Sequence, residues 1–335
     1  MSVKTPSEKG SLSTKDKDDF NTPEDRKLVR KVDLRVSDHV RVGHAARSNI
    51  GNARIIGLVD DLHISPPEYN TALALYFVSY VLFEIPANII LKRFNPQIWL
   101  PTLTLFWGSV TVAQGFVTNK AGLFGIRFLL GAAEAGLFPG VIYVFSVYYR
   151  RHERSWRVAI FFGGAALAGA FGGDRIFILE GVITLAFGLF AYLVVPTWSH
   201  KAKFLTSSEK ERLLARLDAD SDAALIEKFQ WKYVRQALTD HLVWGYAFLF
   251  HGFAFVLYSL SLFMPSIIAG LGYKSWQAQL MTVPPNTLAS FSIWGTVWLS
   301  SKVNRRAHFI IGAALVAILG YIILLTTKTL LTLYV

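Results

Sequence analysis

Long runs of apolar residues separated by short charged connectors constrain this chain more than any other feature. Residues 121–149 contain only two residues that are charged at neutral pH, Arg127 and Glu134. A helix of that length with so few charges is long enough to cross the hydrocarbon core of a bilayer. Of the 335 residues, 53% are hydrophobic and 17% are charged, which is too apolar for an ordinary soluble protein. The sequence therefore predicts an all-α, multi-pass membrane protein.

The pattern predicts membrane spans in two groups with a polar segment between them. The predicted spans are residues 70–91, 98–117, 121–149, 158–173, 176–196, 242–269, 280–300 and 309–326. Residues 1–45 are polar and are expected to be disordered, because they contain too few apolar residues to form a core. They contain no apolar stretch of the kind found in a cleavable signal peptide.

Residues 197–240 are expected to form a soluble linker between the two groups of spans. Thr206 and Glu209 have the spacing of a helix capping box. A short amphipathic helix is predicted after them, with its apolar side formed by Leu213, Leu214 and Leu217.

Basic residues concentrate in alternate connectors. Those after the first, third, fifth and seventh predicted spans carry Lys92, Arg93, the cluster at 150–157, Lys201, Lys203, Lys302, Arg305 and Arg306. By the positive-inside rule these connectors are cytoplasmic. The net charge of +11 is explained in this way, so no nucleic-acid partner is expected. The chain has no cysteine, which excludes disulfides and thiolate metal sites.

Arg127 and Glu134 are the strongest candidate functional residues. They are seven residues apart, about two helical turns, and therefore share one face of the helix. Charges inside a span are costly and usually line a cavity or an ion pathway. In one interpretation Glu134 titrates with protons and Arg127 attracts an anion; in the other they form a fixed ion pair. Small residues on this helix should let another helix pack closely: Gly131, Ala135, Gly136 and Gly140.

Two other spans offer candidates for a substrate cavity. Tyr80, Glu84 and Asn88 recur every four residues, in a polar stripe that begins at Tyr76. The stripe could line the cavity or form a polar cluster near the cytoplasmic end of its span. His251 and Tyr258 could present aromatic faces to a ring-bearing anion. Alternatively, His251 makes a hydrogen bond between helices.

The sequence contains no motif for an enzyme or a cofactor. No phosphate loop, metal-ligand cluster or nucleophilic constellation is present. The glycine-rich run at 163–173 lies within an apolar segment and lacks the strand and turn that a nucleotide fingerprint requires. We therefore expect no enzymatic activity, no cofactor and no metal.

Several motifs together resemble the major facilitator superfamily, and within it the anion:cation symporter branch of fungal allantoate and nicotinate permeases. The resemblance covers most of the chain from Arg47 onward. The segments that carry it are RSNIGNARI at 47–55, YNTALALYFVSYVLFEIPANIILKRF at 69–94, GIRFLLGAAEAGLFPGVIYVFSVYYRRHERSWRVAIFFGGAALAGAFGG at 125–173, IFILEG at 176–181, FLTSSEKERLLARL at 204–217 and TVPPN at 282–286.

The resemblance implies a bundle with twelve helices in two halves, of which about eight are present, corresponding to helices two to nine. Residues 1–69 would be a polar tail with a remnant of helix one, and residues 70–196 the N-terminal membrane half. Residues 197–240 would be the cytoplasmic linker, and residues 241–335 part of the C-terminal half. Asn49 and Asn52 could then face the cavity.

The resemblance also implies proton-coupled symport of a small organic anion, a carboxylate such as nicotinate or allantoate, by alternating access. The protein would be a monomer in the lipid bilayer of the plasma membrane. An alternative is a non-transporting membrane protein: an inactive truncated paralogue, a mis-spliced gene model or, less readily, a nutrient sensor. The departures behind this alternative are Ala46 where an acidic residue is usual, Ser301-Lys302 where Asp-Arg is usual, a shortening between Gly173 and Ile176, and the lack of helices ten to twelve.

Overall fold

A computed structural model describes residues 22–36, 49–168, 176–219, 231–303 and 306–333, and these residues contain helices and no strand. The helices, numbered in chain order, are α1 (Pro23–Val36), α2 (Asn49–Ile56), α3 (Leu58–Asp61), α4 (Pro66–Arg93), α5 (Pro96–Gln114), α6 (Lys120–Glu134), α7 (Leu137–Tyr148), α8 (Arg151–Ala168), α9 (Ile176–Val194), α10 (Ser207–Ala219), α11 (Trp231–Thr239), α12 (His241–Ala269), α13 (Ser275–Leu280), α14 (Val283–Val303) and α15 (Arg306–Leu333). A short 3-10 helix covers Ser199–Lys201.

Every predicted span contains a helix, which confirms the all-α membrane class. Within the described residues, five helical segments are long and apolar enough to cross a membrane: Pro66–Arg93, Lys120–Tyr148, Phe177–Val194, His241–Ala269 and Arg306–Thr326. The other three predicted spans correspond to α5, α8 and α14.

Polar residues at the helix starts explain where several helices begin. Ser65 and Glu68 form a capping box at α4. The side chain of Asn119 accepts a hydrogen bond from Gly122 N at the start of α6, and that of Asp240 accepts one from Leu242 N at the start of α12. These oxygens bind backbone amides that have no partner inside the helix.

The third predicted span is not one continuous helix. It is divided into α6 and α7, with Ala135 and Gly136 between them. Pro139 explains the break, because it has no backbone N–H to donate to the carbonyl of Ala135 and its ring would clash with that carbonyl. The break comes directly after Glu134 and is local, because Lys120–Tyr148 still forms one helical segment of span length, as predicted.

The small residues of α6 and α7 lie where neighbouring helices cross, as predicted. A Cβ atom on Gly131 would collide with the side chain of Ser79 and the carbonyl of Tyr76 on α4. A Cβ on Gly136 would lie 2.6 Å from the Cβ of Ala87, also on α4. Only glycine permits the backbones to approach this closely, so α4 and α6 are held in one register.

Among the contacts that join the N-terminal and C-terminal groups of spans are those of two helix pairs. On the first, α2 packs against α12, where a Cβ on Gly51 would lie 2.5 Å from the carbonyl oxygen of Leu262. On the second, α8 packs against α14. There Ser290 Oγ donates a hydrogen bond to the carbonyl of Gly163 (2.9 Å), and Trp294 Nε1 donates one to that of Ala159 (3.2 Å). The rest of the small-residue run, 169–173, lies outside the described residues.

Contacts between connectors place three basic connectors on one side of the bundle, as the alternation of charge requires. Lys92 Nζ lies 5.7 Å from the ring centre of Tyr143, and Tyr148 Oη donates a hydrogen bond to the carbonyl of Thr197 (2.6 Å). On the opposite side Lys120 pairs with Glu68 at 3.0 Å. We call the first side the linker side, because α10 packs there against α7 and the segment after α9.

The N-terminal region departs from the prediction of disorder. Residues 23–36 form α1, whose Leu28 and Val32 are buried in the same core as Leu213 and Leu217 of the linker. The composition is polar, but its charged side chains have partners of opposite sign in α8 and α10. The capping box predicted for the linker is confirmed, since Thr206 N donates a hydrogen bond to Glu209 Oε2 (2.8 Å) and Glu209 N to Thr206 Oγ1 (3.3 Å).

Candidate functional site

A small cavity lies between α4, α6 and α12, where the two groups of spans meet. Its volume is about 10 Å³, room for a single water molecule. It is lined by Leu73, Tyr76, Phe77, Arg127, Tyr258, Ser261 and Leu262. The cavity thus combines one cation, aromatic rings from both halves and hydroxyl groups.

Arg127 is the charged residue of this cavity. Arg127 is only 1% exposed, and its Nε and Nη2 atoms have no hydrogen-bond partner among the described residues. Burying a guanidinium without satisfying its donors is costly, since such groups are normally paired. The arrangement leaves donors available to an acceptor that enters the cavity.

Glu134 is fully buried on the same helix, and Tyr76 connects it with the cavity. The hydroxyl of Tyr76, which is itself buried, donates a hydrogen bond of 2.7 Å to Glu134 Oε2. The carbonyl of Tyr76 accepts a hydrogen bond from Ser79 Oγ (2.9 Å), directly at the Gly131 crossing. A tyrosine therefore lies on the wall of the Arg127 cavity while binding the carboxylate of Glu134.

Tyr76 was not among the candidate residues selected from sequence. It begins the polar stripe that continues with Tyr80, so a signal was present. Nothing in the spacing distinguished it from the other stripe residues. Tyr80 is partly buried, with its ring 6.1 Å from that of Tyr76.

An aromatic contact closes the cavity between the halves. The rings of Phe77 on α4 and Tyr258 on α12 meet edge to face, with 5.2 Å between centroids and an interplanar angle of 68°. Tyr258 is therefore brought to the cavity that contains Arg127. His251 lies two turns earlier on α12, is exposed and does not line this cavity.

Glu84 and Asn88 lie at a different place. Glu84 is half-buried in a groove of about 330 Å³ that it shares with Phe138, Pro139, Ile142, Tyr143 and Ser146. The Asn88 side chain donates a hydrogen bond to the carbonyl of Glu84, one helical turn before it (2.8 Å). The structure therefore does not bring this pair together with Arg127.

Helix α2, which contains the candidates Asn49 and Asn52, lies beside the cavity helices. Asn52 is buried on α2, which packs against α12 and is tied to α4 by a hydrogen bond from Tyr69 Oη to the carbonyl of Ile50 (3.3 Å). Asn49 begins α2, and its side chain lies outside the described part of the structure.

The chemistry that this site can perform is recognition and proton exchange. A guanidinium with free donors binds an anion, and a buried carboxylate hydrogen-bonded to a hydroxyl can exchange a proton. Among the described residues no group of three or more His, Cys, Asp and Glu side chains could hold a metal ion.

Comparison with known proteins shows the family of the chain. The family model described as Major Facilitator Superfamily matches residues 42–335. The chain is 35% identical over 300 residues to the "MFS transporter prlL" of Fungal sp. (strain NRRL 50135), covering 82% of this chain and 61% of the relative. It is 34% identical over 300 residues to the "MFS-type transporter efuF" of Hormonema carpetanum, covering 84% and 61%.

A third relative has a substrate in its name. The chain is 30% identical over 326 residues to the "High-affinity nicotinic acid transporter" of Saccharomyces cerevisiae, covering 91% of this chain and 61% of the relative. The chain thus spans about three-fifths of the length of the curated relatives it matches.

Proposed function

Because the chain belongs to the Major Facilitator Superfamily, whose members are integral membrane transporters and not enzymes, we propose that it serves the proton-coupled symport of a small organic anion. The anion is a carboxylate, and the mechanism is alternating access around the cavity between α4, α6 and α12. The protein acts as a monomer in the plasma membrane, with the linker side facing the cytoplasm.

The observation that carries this proposal is the buried guanidinium of Arg127, whose Nε and Nη2 have no hydrogen-bond partner in the part of the chain that the structure describes. A carboxylate can accept two parallel hydrogen bonds from a guanidinium, and such bonds are strong away from water. The same cavity places the rings of Phe77 and Tyr258 beside Arg127. The name of the yeast relative supports nicotinate, a planar ring with one carboxylate, as the first substrate to test.

Glu134 couples the proton to the anion in this proposal. An ionised Glu134 places a negative charge near the cavity and opposes a second anion, whereas a protonated Glu134 does not. Proton binding therefore raises anion affinity, and anion binding raises proton affinity by the same factor. Tyr76 links the two events, because its hydroxyl binds Glu134 while its side chain lines the anion cavity.

Entry of the anion requires the cavity to enlarge. A volume of about 10 Å³ cannot hold a carboxylate with a ring. The Phe77–Tyr258 contact joins α4 and α12 across the cavity. Separation of α12 from α4 and α6 would open the site to one side of the membrane.

Uptake into proteoliposomes tests this function. The full chain is reconstituted, a pH gradient acid outside is imposed, and accumulation of radiolabelled nicotinate and allantoate is measured. We expect Glu134→Gln to lower gradient-driven uptake more than tenfold while nicotinate–nicotinate exchange continues, because exchange needs no net proton movement.

The matched control is Glu84→Gln, which removes a carboxylate from the separate groove and should change the coupling little. Equal uptake by the parent chain and Glu134→Gln would contradict the coupling role of Glu134. Failure of the parent chain to transport any carboxylate would favour a non-transporting protein.

A further inference from the structure

The linker side of the bundle carries a set of ion pairs that the transport proposal does not use. It joins three distant parts of the chain: α1, the start of α8 and α10. This linker-side cluster consists of Asp25, Lys31, Asp33, Glu153, Arg157, Glu209, Arg212 and Arg216. We propose that α1 is a strap that fastens the linker between the halves to the N-terminal half.

The first anchor of the strap is Asp25, which is 1% exposed. Its carboxylate accepts two hydrogen bonds from Arg212, from Nε and Nη2, both of 2.9 Å. Arg216 Nε lies 3.5 Å from the same carboxylate, and Arg216 Nη2 donates a 2.8 Å hydrogen bond to Glu153. Arg216 therefore lies between a carboxylate of α1 and one of α8.

Two further pairs hold the rest of α1. Lys31 Nζ binds both oxygens of Glu209, at 3.0 and 2.8 Å, at the start of α10. Asp33 accepts two hydrogen bonds from Arg157 of α8, of 2.6 and 2.7 Å. The guanidinium of Arg157 also lies 3.9 Å from the ring centre of Tyr149. A bidentate pair stacked on a ring has a defined geometry, so this end of α1 is held in place.

The ion pairs surround an apolar contact. Leu28 and Val32 are four residues apart and so lie on one face of α1. They are buried in the same core as Leu213 and Leu217, which form the apolar face of α10. Because this apolar contact excludes water, it lowers the local dielectric constant and strengthens the neighbouring charge pairs. The position of α1 is thus fixed by apolar packing and by ion pairs.

The consequence concerns which parts of the molecule move together. Since α1 contacts α10 and α8 at once, the linker helix belongs to the same rigid body as the N-terminal half. The strap does not depend on which solute is carried.

Spin-label distances test the strap in the full chain. Because the chain has no cysteine, Arg30→Cys and Glu211→Cys create one labelled pair on the exposed sides of α1 and α10. We expect one narrow distance distribution that stays the same at pH 5 and pH 7.5, with and without nicotinate. Adding Asp25→Ala should broaden it and raise amide exchange in residues 207–219 at least tenfold. The control Glu24→Ala, which alters an exposed neighbour, should change neither.

A broad distribution in the parent pair, or equal results for Asp25→Ala and Glu24→Ala, would overturn the strap. If Asp25→Ala does not fold, charge reversal at the Asp33–Arg157 pair decides the question. Asp33→Arg and Arg157→Asp should each broaden the distribution, and the double variant should narrow it again. A double variant as broad as the single variants would also overturn it.

Discussion

Two buried arginines in this protein differ in how many of their nitrogens have partners. Arg216, in the linker-side cluster, is 3% exposed and lies between the carboxylates of Asp25 and Glu153. Arg127, in the cavity, is 1% exposed, and two of its nitrogens have no hydrogen-bond partner. Arg216 thus has two carboxylate neighbours and only its Nε lacks a hydrogen bond, whereas Nε and Nη2 of Arg127 both lack one among the described residues.

The difference suggests two roles for a buried arginine: one stabilises the fold, and the other is available to bind a ligand. Arg216 contributes to holding three segments together, and its partners are supplied by the chain. Arg127 adds the cost of a desolvated charge to the fold, a cost that an entering carboxylate would offset. The two residues should therefore respond in opposite ways to the same substitution.

The largest effect is expected for Arg127→Met on uptake. Loss of the charge-assisted hydrogen bonds, worth about 3 kcal/mol together, should lower nicotinate uptake about 100-fold. Thermal unfolding in detergent should be unchanged or shifted upward, because no existing hydrogen bond is lost. Arg127→Lys keeps the positive charge but lacks the paired N–H donors of a guanidinium. Its nicotinate uptake should lie between that of the parent and that of Arg127→Met. A strongly destabilised Arg127→Met variant would show that Arg127 is structural and would remove the contrast.

Arg216→Met should have the reverse outcome. It leaves Asp25 and Glu153 without this partner, and breaking a buried pair in this way costs about 3 kcal/mol or more. The melting temperature should fall, whereas the exposed arginine variant Arg26→Met should melt like the parent. The comparison would fail if Arg216→Met and Arg26→Met had equal stability.

Gly131→Ala tests the crossing that positions Tyr76. The added Cβ would collide with Ser79 and with the carbonyl of Tyr76, so α4 and α6 must separate. We expect a loss of about 2 kcal/mol of stability and a weaker dependence of uptake on pH. Gly125→Ala, on the same helix and facing open space, is the matched control and should be neutral or slightly stabilising. Equal unfolding curves for the two variants would argue against close packing at Gly131.

The smallest effect concerns acid sensitivity at Asp25. Burial raises the pKa of Asp25, but hydrogen bonds from Arg212 and Thr22 outweigh it and lower the pKa to about 2, below the ordinary 3.8. A lowered pKa contributes stability that is present above about pH 4 and is lost as the pH falls through 2, here about 2 kcal/mol. Asp25→Asn should therefore be less stable than the parent at pH 6, with the gap closing towards pH 2. A gap independent of pH would contradict this role of the charge.

Local sequence patterns predicted much of the fold. The spans, the Thr206–Glu209 capping box and the close packing at Gly131 follow from neighbours within a few residues or from the low charge of a long run. Arg127, Glu134 and Tyr258 were recognised because polar groups are conspicuous in apolar helices. Their proposed roles remain predictions.

The predictions from sequence that did not match the structure concern interactions between residues far apart in the chain and a local break in a helix backbone. Disorder was predicted for residues 23–36 because their partners, such as Glu209 for Lys31, are 178 residues away. The break after Glu134 depends on a proline whose effect was not weighed. Glu84 and Asn88 share a stripe with Tyr76 and Tyr80, and only the packing of α6 and α12 showed which part of the stripe meets Arg127.

Composition and charge spacing were enough to determine that this chain is a helical membrane protein with two charges within one span, because bilayer thickness and desolvation act on each helix separately. The hydrogen bond from Tyr76 to Glu134 joins residues 58 positions apart, and the Arg127 cavity needs side chains from both halves. Which buried charges receive partners depends on how helices cross. That is decided only when glycine contacts and side-chain packing bring distant segments together.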